Sequence, residues 1–390
     1  MRRSCAWITG LIAACGCGDN LVLPVGPPLA HSDTLFLVAH PDDDMIFMQP
    51  ELLTRLREEA TTTIYVTTTG PRATSHGLFE AAKVAYGEVA GSSDWECGLL
   101  EIDAIVVQHC RLRDRPVSLL DFALPDGGIP GDRTNSLLHL VDGTVAEQPA
   151  YAGGRVTFDS LIGVFAQVFE ATTPDALETL ELAGSHGRDH SSHMFVASFA
   201  LWAAARVGYR GDASWHRGYN IATEEPTLSG EDLTQARTML GYYEACADHC
   251  GPCGQACPTV LAAHDTWLSR QYSVARVPSA KGKLALGDRC LQASLVLGDC
   301  ATAPQIELAA TGAFHLGDEC LTTMETGALA LAPCTGVPEQ YWLLDSEGSV
   351  WNGRPPQRAP DMTYDHVRCL AEGGAVTCGA SLQAHWTLLP

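Results

Sequence analysis

The segment Thr34-Leu35-Phe36-Leu37-Val38-Ala39 has no polar alternation and runs straight into His40-Pro41-Asp42-Asp43-Asp44. A strand with one wet face alternates apolar and polar residues. A run without alternation needs cover on both faces, which parallel sheets provide. The same reading makes strands of Thr62 to Thr69, Ile102 to Val107 and Leu177 to Ala183. Helical patterns separate them: Pro50 to Ala60, residues 78–90, Phe158 to Ala171 and Met194 to Val207. Strands alternating with helices predict an α/β fold, a Rossmann-like and mostly parallel sheet with helices on both faces. Such sheets bind ligands beyond the carboxyl ends of their strands, and His40 sits at one of those ends.

The pattern changes after about residue 275, where short β-like segments, glycine turns and paired cysteines replace helical periodicity. Three units recur: Cys290-Leu291 with Cys300, Cys320-Leu321 with Cys334, and Cys369-Leu370 with Cys378. Gln340-Tyr341-Trp342 follows the second unit. Gln383-Ala384-His385-Trp386 follows the third with one residue too many, and Gln305-Ile306-Glu307 follows the first without a tryptophan. A repeat of roughly 40 residues marks an array of similar units. It resembles the ricin-type β-trefoil, whose repeats run Cys-Leu, a second Cys, then Gln-x-Trp. The resemblance implies an all-β trefoil domain over 280–390, following an α/β domain over 34–275, with disulfides Cys290–Cys300, Cys320–Cys334 and Cys369–Cys378. Sugar sites of that family carry an Asp just after the Cys-Leu pair. Gln292, Thr322 and Ala371 stand there in this chain, so a sugar-binding and a purely structural trefoil are both open.

Fifteen cysteines point to disulfides and an oxidising compartment. Cys97 and Cys110 make one candidate pair. Cys246, Cys250, Cys253 and Cys257 have a spacing that serves either two local disulfides or a zinc site. Arg2 and Arg3 precede a short apolar run from Ala6 to Ala14, the layout of a signal peptide over residues 1–14. Ile12-Ala13-Ala14-Cys15 resembles a bacterial lipobox, which would lipidate Cys15 and make residues 15–33 a tether. The expected location is then the cell envelope, as a periplasmic or surface lipoprotein, with plain secretion as the alternative. Membrane contact would come only through that N-terminal lipid. The formal net charge of -22 argues against nucleic acid as a partner and against electrostatic adhesion to anionic lipid.

Two motifs carry chemistry. His40 and Asp43, three apart after a buried strand, can converge on one ion, and Asp42 between them can reach a water beside it. Asp189-His190-Ser191-Ser192-His193 follows the strand 177–183 and opens the next helical pattern, so it also lies at a strand end. Alone, the first is an acidic helix cap and the second a pair of surface histidines. Together, on one α/β domain, they describe a metal site with nitrogen and oxygen ligands.

These motifs resemble those of the PIG-L/LmbE-like N-acetylglucosaminyl deacetylases over about residues 34–272. The family motif Ala-His-Pro-Asp-Asp-Glu is matched here with Asp44 in the last place, and Asp-His-Ser-Asp-His is matched with Ser192 for the inner Asp. Leu124-Pro125-Asp126-Gly127-Gly128, Ala85-Tyr86 with Ala90-Gly91, and Trp267 to Tyr272 are further family-like stretches. The resemblance implies one zinc ion per chain on His40, Asp43 and His193, with Asp42 as general base and a protonated His190 stabilising the oxyanion. The substrate would be an N-acetylated amino sugar or glycan, with Asp126 and Glu80 as candidate contacts. A second register puts His190 on the metal; His193 is preferred because the helical pattern begins after it. The family's Arg-Glu is replaced by Leu78-Phe79. That loss keeps a rival alive, a degenerate envelope protein that only binds glycans. Two histidines and a carboxylate also make the triad of non-haem iron oxygenases, which usually sit on all-β scaffolds.

Overall fold

The computed structural model describes residues 24–68, 72–150, 152–183, 186–356, 367–378 and 384–390. The expected signal peptide, Cys15, residues 15–23 of the expected tether, and Gln383 lie outside them.

The chain begins with β1 (Thr34–Val38), α1 (Asp43–Phe47), α2 (Glu51–Glu58), β2 (Thr61–Thr68) and α3 (Arg72–Ala90). Next come β3 (Trp95–Ile102), β4 (Ile105–Leu112), β5 (Val117–Pro125) and α4 (Leu137–Asp142). A short ribbon, β6 (Glu147–Pro149) with β7 (Arg155–Thr157), leads to α5 (Phe158–Thr172), β8 (Ala176–Leu180) and α6 (Ser191–Val207). The α/β part ends with β9 (Asp212–His216), α7 (Gly230–Cys246), α8 (Ala262–Leu268) and β10 (Ser273–Ala275).

The eight-stranded sheet has the order β10-β9-β8-β1-β2-β5-β4-β3. β1 pairs in parallel with both β2 and β8, β2 with β5, and β8 with β9. Every residue of β1, β2 and β8 is buried, as the unalternating runs require. The chain leaves β1 towards β2 and β5 on one side and returns to β8 and β9 on the other. The order therefore reverses at β1, and the crevice beyond the carboxyl ends of β1 and β8 is the topological switch point.

Three expectations change. Residues 102–107 are not one strand: Asp103 sits in the left-handed region, φ 49°, and turns β3 antiparallel onto β4. Short polar Asp tolerates that conformation, and the apolar residues on either side hide the turn. Cys97 lies opposite Cys110 in this hairpin, and the two are bonded. Residues 24–32 of the expected tether run along the domain instead. Gly26 N donates to Leu99 O at 2.7 Å, His109 Nδ1 meets Pro27 O at 2.7 Å, and Ser32 N donates to Thr172 O at 3.0 Å. Gly98 permits this approach, since a Cβ there would lie 2.4 Å from Pro24 O. Finally, α6 starts at Ser191, not after His193. His190 is its cap, with Nδ1 accepting the Ser192 N–H at 3.2 Å.

Beyond residue 275 the described residues are all-β, with seven strands in one path, an eighth, Trp386–Leu389, paired beside Ala280–Leu286, and four more in a second sheet. The bonds Cys290–Cys300, Cys320–Cys334 and Cys369–Cys378 each close a short loop. Trp342 Nε1 donates to Leu321 O and Trp386 Nε1 to Leu370 O, both at 2.8 Å, so two units repeat one buried contact. This part is not set apart from the first. Tyr341, Leu343, Trp351 and Cys369 belong to the same apolar core as the α/β sheet, and Tyr341 Oη donates to Tyr209 O at 3.1 Å.

Candidate metal centre

His40 follows β1 directly, and a tight turn brings Asp43 back beneath it. The His40 backbone N–H donates to Asp43 Oδ2 at 2.6 Å, and His40 Nδ1 lies 3.2 Å from the same oxygen. The other carboxylate oxygen, Oδ1, lies 3.1 Å from His193 Nε2, delivered from the first turn of α6. His193 Nδ1 donates to Asp189 Oδ2 at 3.1 Å. Asp189 is held in turn by the backbone N–H groups of His190 and Tyr219, at 2.7 and 2.9 Å. Solvent reaches 8% of His40, 1% of Asp43 and none of His193.

His193 Nε2 is wholly buried and makes no well-aligned hydrogen bond. It faces Asp43 Oδ1 at 3.1 Å, so without an ion the contact is electrostatic, and neither atom is committed to another partner that would keep it from a metal. The donor atoms of His40, Asp43 and His193 lie within 4.8 Å of one another. The two short contacts run to different oxygens of Asp43, 3.1 Å from His193 Nε2 to Oδ1 and 3.2 Å from His40 Nδ1 to Oδ2, so the carboxylate bridges the two histidines, and nitrogen with carboxylate oxygen is a donor set that suits zinc. The residues fit a divalent ion of the zinc type, and Asp189 supplies the carboxylate that orients a ligating histidine from behind.

A second trio, His40, Asp126 and His190, is equally compact, but both carboxylate oxygens of Asp126 are already engaged. Asp126 follows β5. Its Oδ1 accepts Ser192 Oγ at 3.0 Å and lies 3.4 Å from His40 Nε2 and 3.6 Å from His190 Nε2. Its Oδ2 accepts Gly128 N and Arg133 Nη1. Among the two registers, the geometry favours His193 as ligand, because His190 caps the helix and faces Asp126.

Electrostatics follow from burial among opposite charges. Burial would lower the His40 pKa, but Asp43 and Asp126 outweigh it and raise it to about 9. Burial likewise opposes a charged His193, and Asp189 and Asp43 push it well up. Asp43, although buried, is held below the usual carboxylate range by His193 and His40. Asp126 is lowered to about 2, its burial outweighed by His40 and His190. His190 goes the other way: burial and the neighbouring His40 and His193 lower it to about 3. In the metal-free cluster this favours a neutral His190 over the expected protonated ring. Its Nδ1 accepts Ser192 N–H, so the proton is on Nε2, which remains a donor. Asp42 caps α1 without any side-chain capping bond, and burial and Asp43 raise its pKa.

Glu80 is not brought to the cluster. It pairs with Lys83 at 2.8 Å and lines a separate surface cavity with Trp95. Phe79 is completely buried against Tyr65, so the Leu78-Phe79 departure serves the core. Cys246–Cys253 and Cys250–Cys257 are disulfides, which removes the zinc reading of that group.

Sequence reasoning missed several neighbours. Ser192, a departure from the motif, binds Asp126. Asp189 could have been found from its i, i+4 spacing to His193 at a helix start. Phe47, Tyr219 and Trp267 form an aromatic wall, with Tyr219 5.0 Å from His193 and stacked on Trp267 at 4.5 Å. No local pattern announces it.

Gly218 supports Asp189 from below: a Cβ there would lie 2.1 Å from Asp189 Oδ2. Gly218→Ala should displace Asp189 and weaken zinc binding about 10–100-fold, the usual cost of losing such a partner. Zinc titration against a competing chelator measures this, and Asp189→Asn should show a similar loss.

No protein-family model matches the chain, and no curated protein matches it. Among solved structures, the Vibrio vulnificus hemolysin/cytolysin β-trefoil lectin with N-acetyl-D-lactosamine bound aligns with a TM-score of 0.24 at 14% identity, covering 29% of this chain and 96% of that one. The conserved protein TT1542 from Thermus thermophilus aligns with a TM-score of 0.32 at 13% identity, covering 55% of this chain and 79% of that one. Neither likeness is close enough to carry an argument about chemistry, which rests on the residues at the switch point.

Proposed function

We propose that the chain is a zinc-dependent N-deacetylase of the PIG-L/LmbE-like kind, acting on an N-acetylglucosamine-type sugar or glycoconjugate. The observation that carries the reading is the buried His193 Nε2 without a well-aligned hydrogen bond, facing Asp43 beside His40. His40, Asp43 and His193 would hold one zinc ion, which would polarise the amide carbonyl and make the attacking water more acidic. Asp42 takes the proton from that water, since its carboxylate is not spent on capping. His190 donates from Nε2 to the developing oxyanion, and its cap bond to Ser192 fixes that tautomer. Asp126, held by Gly128, Ser192 and Arg133, orients His190 and His40.

The C-terminal part is proposed to be a ricin-type β-trefoil. Its support is the three disulfide loops and the repeated tryptophan-to-leucine hydrogen bond. Six disulfides among the described residues favour an exported protein. Lipidation at Cys15 remains the proposed anchor.

The test is metal content together with acetate release from a panel of N-acetylglucosamine-containing substrates. One zinc per chain and acetate released mole for mole with free amine are expected. Bound zinc without acetate release would return the glycan-binding alternative, and an absence of bound metal would overturn the site itself.

A further inference from the structure

An acid–imidazole pair on the two helices packed against α1 has no part in the mechanism above. Glu244, on α7, is 1% exposed. Its two carboxylate oxygens accept the Leu261 backbone N–H at 3.1 and 2.9 Å, and Oε1 also accepts His264 Nδ1 at 2.7 Å. A carboxylate anchored to backbone in this way fixes both the orientation and the tautomer of the ring. Nδ1 is committed, so Nε2 is the atom able to exchange a proton. The His264 side chain is 17% exposed, so the ring is not sealed in the core.

His264 also stands in the right neighbourhood. It rides on α8, which packs against α1, the helix that Asp42 caps. Its ring lies 6.0 Å from Trp267, which is 6.0 Å from Phe47, and Phe47 is 5.8 Å from His193. Burial opposes a charge on His264, but the bond to Glu244 and the charges of Asp42, Glu244 and Asp43 outweigh it and raise its pKa. That direction favours the protonated ring an acid requires.

From this geometry we infer that His264, positioned by Glu244, is the catalytic acid that protonates the departing amine. The inference rests on the amide-hydrolysis reading and adds a residue to it. Water attacks the carbonyl carbon as Asp42 takes one of its protons. The C–N bond then breaks, its electron pair goes to nitrogen, and nitrogen takes a proton from His264 Nε2. Acetic acid and free amine leave, and the proton held by Asp42 returns His264 to its starting state. Base and acid are thus separate groups, on α1 and α8, and neither has to change role within a turnover.

The test compares His264→Gln and Glu244→Gln with wild type, all zinc-loaded, on N-acetylglucosamine and on 4-nitroacetanilide. The weakly basic amine of the anilide departs without prior protonation. His264→Gln should lower kcat on the sugar about 100-fold, the lower end for a general acid, with zinc content unchanged, and should lower it far less on the anilide. Glu244→Gln should show the same selective loss in milder form. Equal losses on both substrates would mean a structural role and overturn the inference, as would an unchanged rate on the sugar. A wild type that hydrolyses neither amide overturns the parent reading, and this assignment falls with it.

Discussion

Replacing His193 with alanine should abolish stoichiometric zinc binding and should also destabilise the metal-free protein. Two remaining ligands, His40 and Asp43, hold zinc poorly, so the loss should exceed the 100-fold that removal of a supporting carboxylate costs at most. The second effect has a separate cause. His193 lies between the carboxylates of Asp43 and Asp189, each 3.1 Å away, and none of the three is more than 4% exposed. Removing it leaves two buried carboxylates without their shared partner, a change worth about 3–5 kcal/mol in buried ion pairs. Elemental analysis after dialysis measures the first effect and urea unfolding of the metal-free chains the second. His190→Ala is the control, because it lies outside the preferred ligand set. Full zinc occupancy in His193→Ala, with loss in His190→Ala, would move the ligand role to His190.

The same cluster fixes the sign of the pH dependence. The metal-free protein holds His40 protonated at neutral pH, since its pKa is raised to about 9 from 6.5. The stability from that proton is full below the ordinary histidine pKa and is lost as the pH rises through about 9. Zinc needs the neutral ring. Apparent zinc affinity should therefore climb from pH 6.5 towards 9, with protons released on binding. Calorimetry in buffers of different ionisation enthalpy detects that release; binding without it would mean that His40 is not a ligand.

How far the sequence carried this reading depended on what each feature responds to. The buried strand before His40 was legible because burial on both faces writes an unbroken apolar run. The switch point followed from alternation of strands and helices, and it is what lets residues 40, 126 and 193 meet. The β3–β4 hairpin was not legible, because apolar residues flank Asp103 and the turn rests on one residue at positive φ. The start of α6 was misplaced because His190 caps it through a ring nitrogen, a role for which Ser, Thr, Asp and Asn are the usual signals. Glu244 and His264 stand 20 residues apart in different helices; only tertiary packing joins them. The separate melting of two domains, natural to a chain with two textures, is not what a shared core predicts. Tyr341, Leu343 and Trp351 fill the same interior as α6 and β9, so unfolding one part exposes the other.

The three consecutive aspartates supply the sharpest test, because the fold gives each a different task. Asp43 faces His40 and His193. Asp44 is fully buried and accepts from Tyr86, from Tyr65 at 3.2 Å and from Met45 N at 2.9 Å. Asp42 is the N-cap of α1 yet makes no capping bond. Asp42→Asn should then cost little stability, about 0.3–1 kcal/mol for the charge lost at a helix N-terminus. Zinc should stay, because Asp42 belongs to neither ligand trio. The amide keeps the shape of the carboxylate but cannot accept the proton of the attacking water, so kcat should fall about 100- to 10,000-fold. Asp43→Asn should lose zinc as well as activity, and Asp44→Asn should lower the melting temperature, since one amide oxygen cannot accept from Tyr65, Tyr86 and Met45 N together. Steady-state kinetics, zinc analysis and thermal unfolding on the three variants separate these outcomes. A wild-type rate in Asp42→Asn would remove it as the base, and the proton from water would then need another acceptor in the cleft.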